Sequence, residues 1–211
     1  MSTHKIQIET MVLGMVSTNC YLAMNRDTKE LLVIDPADRA SYIAQSIRGM
    51  GGIPCAVLLT HGHFDHIGAA RELADTFQIP VCALAQEREL MADDYQNLSL
   101  PMGGKGYTLT ADRWLKDGEK LSCAGFEISV IHTPGHTSGG ACYYFPQEDV
   151  LFSGDTLFCN SVGRTDFPTG SMSQLHDSLH EKLLVLPEET IVYPGHGEAT
   201  SISYERRYNP Y

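Results

Sequence analysis

His61-Gly62-His63-Phe64-Asp65-His66 follows directly on the apolar run Ala56-Val57-Leu58-Leu59-Thr60. The run reads as a buried strand, and the six residues after it as the turn leaving its C-terminal end. Four of the six carry a group able to bind a metal ion. Alternate side chains of an extended segment share a face, so His61 and His63 reach one ion. Asp65 and His66, if they open a helix, turn toward a second position a few ångströms away. The spacing points to two metal sites rather than one.

Three later residues complete such a site. His136 lies in Thr133-Pro134-Gly135-His136-Thr137, Asp155 in Phe152-Ser153-Gly154-Asp155-Thr156, and His196 in Tyr193-Pro194-Gly195-His196-Gly197. Each ends an apolar, strand-like stretch and sits in a turn containing glycine, which lets the backbone bend sharply and come close to a site. Four strand ends presenting His and Asp along one edge make a cleft.

At 211 residues the chain can bury one well-packed core. No linker or break in composition divides it, so residues 1–211 are read as a single domain. No stretch approaches the roughly 20 apolar residues of a membrane span. The opening Met1-Ser2-Thr3-His4-Lys5-Ile6-Gln7 lacks the apolar core of a signal peptide, so a cytoplasmic location is expected. The net charge of −11 has the wrong sign for a phosphate-backbone binder, although metal ions in a cleft add positive charge that this count omits. Neither a nucleic-acid nor a membrane partner is expected, and no residue sets an oligomeric state. The six cysteines form no C-x-x-C pair and are read as reduced thiols among apolar neighbours.

The hydrophobic pattern alternates between strands and helices. Strands are expected around Ile6 and Ile8, over 21–24 and over 31–35, then a helix with Ile43, Ile47 and Met50 on one face that ends at Gly51-Gly52. Ile67, Ala70, Ala74 and Phe77 repeat at helical spacing after the histidine motif. A short strand over 81–84 and a helix over 86–93 follow. Residues 94–110 lose periodicity and contain Pro101, Gly103, Gly104 and Gly106; they read as a long loop or lid able to contact substrate. Strands dominate from Trp114 to Asp155. A long helix begins near Ser171, where Ser171-x-x-Gln174 is a capping box. It carries the apolar stripe Met172, Leu175, Leu179, Leu183 and Leu186, and stops at Pro187. The last strand is Thr190–Tyr193. Two sheets face to face with helices outside would bury all these faces. His176 and His180 lie four apart but join no other ligand, so they are read as exposed; His132 is read as a packed neighbour of the site, and His4 as exposed or disordered.

The ordered set Thr60-His61-x-His63-x-Asp65-His66, Thr133-Pro134-Gly135-His136-Thr137, Gly154-Asp155-Thr156 and Pro194-Gly195-His196-Gly197 resembles the metallo-β-lactamase-fold hydrolase superfamily. Within it, Cys20-Tyr21-Leu22, Val33-Ile34-Asp35-Pro36, Gly154-Asp155-Thr156-Leu157-Phe158 and Gly163-Arg164-Thr165-Asp166-Phe167-Pro168 look like short bacterial members of the glyoxalase II-like (hydroxyacylglutathione hydrolase-like) group. The resemblance implies an α/β fold of the αβ/βα four-layer sandwich type. True β-lactamases of the fold usually lack the His after the Asp, so His66 argues against that activity. Classical glyoxalase II enzymes add a C-terminal helical domain that supplies much of their glutathione-binding surface, whereas 15 residues follow His196 here.

The resemblance also implies roles. His61, His63 and His136 would hold one divalent ion and Asp65, His66 and His196 a second, with Asp155 bridging. Zinc suits these ligands best, and iron or manganese also fit. A hydroxide shared by the two ions would attack an acyl carbonyl, and Asp65, as the catalytic residue, would orient it and carry a proton to the leaving group. A thiolate leaves readily, so a small-molecule thioester or related ester is the expected substrate. Arg164 stands where a basic side chain reaches a substrate carboxylate in the family; an ion pair with Asp166 is the other reading. Asp35 and Thr60 are read either as orienting the histidines or as packing and turn residues. Two other functions fit the same motifs: a persulfide dioxygenase using one iron, and a lactone, other ester or phosphodiester hydrolase of the same fold.

Overall fold

The computed structural model describes residues 4–211. The apolar runs are strands, and most are covered on both faces. β1 (Ile6–Leu13), β2 (Thr18–Asn25), β3 (Glu30–Ile34), β4 (Ile53–Leu58), β5 (Val81–Leu84) and β6 (Arg113–Leu115) lie side by side in that order. β1 to β3 pair antiparallel and β3 to β6 parallel. Side chains alternate across a strand, so each strand feeds two cores. In β3, Leu31 and Val33 face one cluster while Leu32 and Ile34 face another. A strand covered on both faces has no polar side to show, which is why these segments read as unbroken apolar runs.

The second sheet holds β7 (Lys120–Cys123), β8 (Phe126–His132), β9 (Ala141–Phe145), β10 (Val150–Gly154), β13 (Ile191–Pro194) and β14 (Thr200–Ser201), in the order β14-β13-β10-β9-β8-β7. β11 (Leu157–Phe158) and β12 (Ser161–Val162) form a separate small hairpin. Leu32, Ile34 and Leu58 of the first sheet meet Ile128, Phe145 and Phe152 of the second in the central core. Outside the first sheet lie α1 (Ala40–Gly49), through Ile43 and Ile47, and α3 (Ala70–Phe77), through Leu73 and Ala74. Outside the second lie Leu179, Leu183 and Ile202. The layers run helix, sheet, sheet, helix, as expected. Among the described residues no helix is long and apolar enough to cross a membrane.

Three local expectations need correction, and one helix was not expected. The helix after the histidine motif is two pieces, α2 (Phe64–Ile67) and α3, because the Ala69 N–H leaves the helical ladder to donate to Pro36 O at 2.9 Å. A 3-10 turn over Ala85–Glu87 leads into α4 (Arg88–Met91), in place of one helix over 86–93. The late helix is α-helical only over α5 (Met172–Asp177), where Ser171 caps Gln174 as expected. It then widens into a π-helical turn over Ser178–Leu183, docked by Ser178 and Lys182 donating to the carbonyls of Pro134 and His132. Finally, α6 (Ile202–Tyr208) was not legible as a helix. Its stripe is short, and much of its anchoring is polar: buried Glu205 accepts from Asn160 N, Thr200 Oγ1 and Asn209 Nδ2. Residues 94–110 do form a loop, but a tethered one: Phe64 N donates to Asn97 O at 2.8 Å and Tyr107 Oη to Phe64 O at 2.6 Å.

The break between α2 and α3 depends on Gly68, where an added Cβ would lie 2.3 Å from Ala37 O. Gly68→Ala is expected to destabilise the protein by about 1–3 kcal/mol, since backbone must move. Gly49→Ala in α1, where nothing lies within 4 Å of the added Cβ, should be neutral or stabilising by up to about 1 kcal/mol. Urea midpoints at unchanged slope measure both.

Candidate metal centre

β8, β10 and β13 run in the same direction, since β9 is antiparallel to both β8 and β10, and β13 is parallel to β10. Their C-terminal ends therefore open on one edge, delivering His136, Asp155 and His196. The end of β4 delivers His61, His63, Asp65 and His66 to the same place. Cross-links hold the two sheets in step there: Ala141 N donates to Thr60 O at 2.8 Å, Tyr143 Oη to Leu59 O at 2.7 Å and Asn19 N to Gly195 O at 2.7 Å. The structure thus brings all seven sequence-selected side chains together. Their ligand atoms form three overlapping groups: His61, His63 and His136; His61, His66 and Asp155; Asp65, His66 and His196.

The imidazole nitrogens and carboxylate oxygens stand at coordination spacing. Ligands about 2.0–2.1 Å from a tetrahedral ion lie about 3.3–3.4 Å from one another. His66 Nε2 is 3.4 Å from Asp65 Oδ2 and 3.4 Å from Asp155 Oδ1. His196 Nε2 is 3.4 Å from both Asp65 Oδ2 and Asp155 Oδ2, and His136 Nε2 is 3.5 Å from Asp155 Oδ2. His63 Nδ1 and His136 Nε2 face each other at 3.0 Å. Among the described residues, His61 Nε2, His63 Nε2, His66 Nε2 and Asp155 Oδ1 are buried with no hydrogen-bond partner. Such an atom costs about 1–3 kcal/mol, and His61, His66 and Asp155, each with one, form a single group, the signature of donors that a cation would satisfy. Asp155 faces His66 with one oxygen and His136 and His196 with the other. Gly195 makes room for it, since a Cβ there would lie 2.1 Å from Asp155 Oδ1.

The rings are aimed by their second nitrogens. His66 Nδ1 donates to Asp35 Oδ2 at 2.9 Å. Thr60 Oγ1 donates to the same oxygen at 2.6 Å, so its one proton is spent and it accepts from His61 Nδ1 at 3.2 Å. His136 Nδ1 donates to Arg164 O at 2.7 Å. In each ring the proton on Nδ1 leaves Nε2 free for an ion. Asp35, buried and at φ 48°, therefore orients two histidines of the cluster. Of the two readings left open for Asp35 and Thr60, the structure shows the orienting one.

Glu87 was missed by the sequence reading. Fully buried, it accepts from Gly62 N at 2.9 Å and from Thr137 Oγ1 at 3.2 Å, tying the first histidine turn to the turn carrying His136. Burial pushes its carboxyl up to about 7 against these hydrogen bonds. A charged residue in a helix-like stretch looks like solvated surface, and nothing local marks it as buried.

The electrostatics divide the histidines. Burial pushes His61 well down, and His66 and His63 add to it; burial and His136 push His63 down to about 3. Burial also opposes charge on His66, yet Asp65, Asp155 and Asp35 outweigh it and raise the group to about 9. His196, likewise opposed by burial, is raised to about 10 by Asp155 and Asp65. Burial would raise both site carboxyls, but His66 and His196 hold Asp155 down to about 2 and Asp65 well below the usual carboxylate range.

A cavity of about 380 Å³ opens over the cluster, with His63, Asp65, His136, Asp155 and His196 at its floor. Arg164 stands at its edge, but its guanidinium makes two 2.7 Å hydrogen bonds to Asp166 and stacks 3.9 Å over Phe167. The ion pair left open from sequence is the observed arrangement. His176 and His180 are exposed and stack on each other at 4.4 Å, and His132 is held by Ser138 O.

Comparison with known proteins agrees with this geometry. Residues 13–196 match the metallo-beta-lactamase superfamily, and the chain belongs to it. It is 38% identical to "Probable metallo-hydrolase YqgX" of Bacillus subtilis, over 95% of each chain. It is 34% identical to hydroxyacylglutathione hydrolase GloC of Haemophilus influenzae, over 98% of each. Among solved structures it resembles BLEG-1 B3 metallo-beta-lactamase, at TM-score 0.92 and 42% identity, covering 97% of this chain and 98% of that one. It also resembles TTHA1623 in a di-iron-bound form, at TM-score 0.84 and 36% identity, covering 96% and 98%. The fold is the metallo-beta-lactamase fold, and its His/Asp groups suit metal ions.

Asp35→Asn puts an amide where donors converge, and is expected to weaken metal binding about 10–100-fold in competition with a chromophoric chelator. A second expectation concerns pH. His66 and His196 are raised above the unfolded value of 6.5, so they stabilise the metal-free fold below about pH 6.5 and cease to do so as pH rises toward 9–10. The thermal midpoint of the metal-free protein should fall over that window, while metal affinity should rise because bound protons no longer compete.

Proposed function

We propose that the protein is a binuclear metal-dependent hydrolase of acyl thioesters or related small-molecule esters. The observation behind this reading is Asp155 at the floor of an open cleft, with Oδ1 3.4 Å from His66 Nε2 and Oδ2 3.5 Å from His136 Nε2 and 3.4 Å from His196 Nε2. His61, His63 and His136 would hold one ion, Asp65, His66 and His196 the other, and Asp155 both. Five imidazoles and two carboxylates suit zinc; the di-iron form of TTHA1623 keeps iron in play. When bound, such a pair of ions supplies Lewis acidity toward an acyl oxygen and lowers the pKa of water to roughly 7.

The chain's own groups do the rest. Thr18 Oγ1 donates to Asp65 Oδ2 at 2.6 Å and fixes that carboxylate. Held ionised, Asp65 is an acceptor at neutral pH, so its role is to orient a water and take a proton from it. The leaving group then needs little beyond the proton that Asp65 has taken up and can return. That suits a thiolate. The name of GloC agrees with thioester chemistry.

The likeness to BLEG-1 favours a second reading, β-lactam hydrolysis. An amide nitrogen needs a proton in order to leave, whereas a thiolate leaves without one. Hydrolysis of a chromogenic cephalosporin should therefore be slower than that of a thioester by about a hundredfold.

The test is metal content and turnover together. Protein purified without added metal should carry about two ions per chain by elemental mass spectrometry. Asp155→Ala should lower that to one or none and bring thioester hydrolysis to background. Unchanged activity would sink the binuclear reading, and one iron per chain with no zinc would move it to the oxidative alternative.

A further inference from the structure

Above the polar floor the cleft is apolar. Its walls come from separate parts of the chain: Val16 from the β1–β2 turn, Phe64 from α2, Leu98 and Met102 from the 94–110 loop, Val162 from β12 and Phe167 beyond it. At the mouth, Val16 is 39% and Met102 is 42% exposed, and their neighbours Met15 and Leu100 are 72% and 49% exposed. Large apolar side chains grouped and exposed around a cavity mark a surface that takes an apolar ligand.

The charges are as informative. Arg164 is the one permanent cation among the lining residues, and Asp166 neutralises it. At the floor Asp65 and Asp155 would be matched to the bound ions, so the walls and mouth offer a carrier only the paired Arg164, and the chain as a whole carries −11. A glutathione thioester brings two carboxylates of its own. Binding them here would desolvate anions with no unpaired permanent cation in the lining to receive them.

We infer that the cleft selects thioesters of apolar acyl groups on carriers without carboxylates, and discriminates against glutathione conjugates. The acyl chain lies between Val16, Met102 and Phe167 with its carbonyl over the floor. Water adds to the acyl carbon, the C–S bond breaks, and a carboxylic acid and a thiol leave. This inference rests on the hydrolase reading above, and it opposes the expectation that the name of GloC would suggest.

The experiment compares acetyl, butyryl and hexanoyl thioesters of N-acetylcysteamine with lactoylglutathione on the metal-loaded protein. Each buried methylene is worth about fourfold, so kcat/KM should rise at least about tenfold from acetyl to hexanoyl. The hexanoyl thioester should exceed lactoylglutathione by a similar factor. Met102→Ser should shrink the hexanoyl-to-acetyl ratio about tenfold. Binding gives a readout independent of turnover. The thioether S-hexyl-N-acetylcysteamine should bind at least about tenfold more tightly by calorimetry than S-hexylglutathione, and Met102→Ser should weaken it. Turnover that favours lactoylglutathione, a flat chain-length series, or tighter binding of S-hexylglutathione overturns the selectivity and leaves the hydrolase reading standing. No turnover of any thioester sinks both.

Discussion

The buried carboxylate of Asp35 is the contact on which the metal centre depends. It accepts from Thr60 N, Thr60 Oγ1 and His66 Nδ1, and through Thr60 it reaches His61. Two imidazoles of the cluster are thereby aimed by one side chain. Because Asp35 follows directly on β3 and Thr60 stands two residues beyond β4, the parallel pairing of these strands is also what sets the ligand geometry. The left-handed φ of Asp35 is a local cost that the surrounding hydrogen bonds sustain.

A second constraint is electrostatic. Histidines packed this closely depress one another, and the two carboxylates that would share the ions are held ionised by the histidines that remain charged. In the metal-free protein, His66 and His196 act as resident cations for Asp65 and Asp155. Buried, partnerless nitrogens and a partnerless carboxylate oxygen would be a liability in a purely structural core. Here they coincide with the groups that the sequence motifs select.

The 94–110 loop shows how scaffold and specificity share residues. Its buried Asn97 and Ser99 satisfy backbone groups of the loop itself, and Tyr107 reaches back to Phe64 beside the ligands. That tethering leaves Leu98 and Met102 at the cleft rather than in the core. An irregular segment is thus held rigidly enough to shape a wall.

The motif ligands were legible because His and Asp in glycine-containing turns after apolar runs carry a local signature. The two sheets were legible because doubly covered strands read as apolar runs. α6 and the π-helical widening were not, since short or polar-anchored elements lack periodicity. Arg164 was identified as a residue near the site, but the sequence left its partner open. By itself, then, the sequence determined which donors meet and in how many layers they are supported. Tertiary structure alone decided that Asp35 aims two rings, that Glu87 ties two turns and that Asp166 cancels Arg164 at the mouth. Asp35 and Glu87 act across 25 residues of chain, and burial of a carboxylate at such a distance depends on packing that no local pattern records.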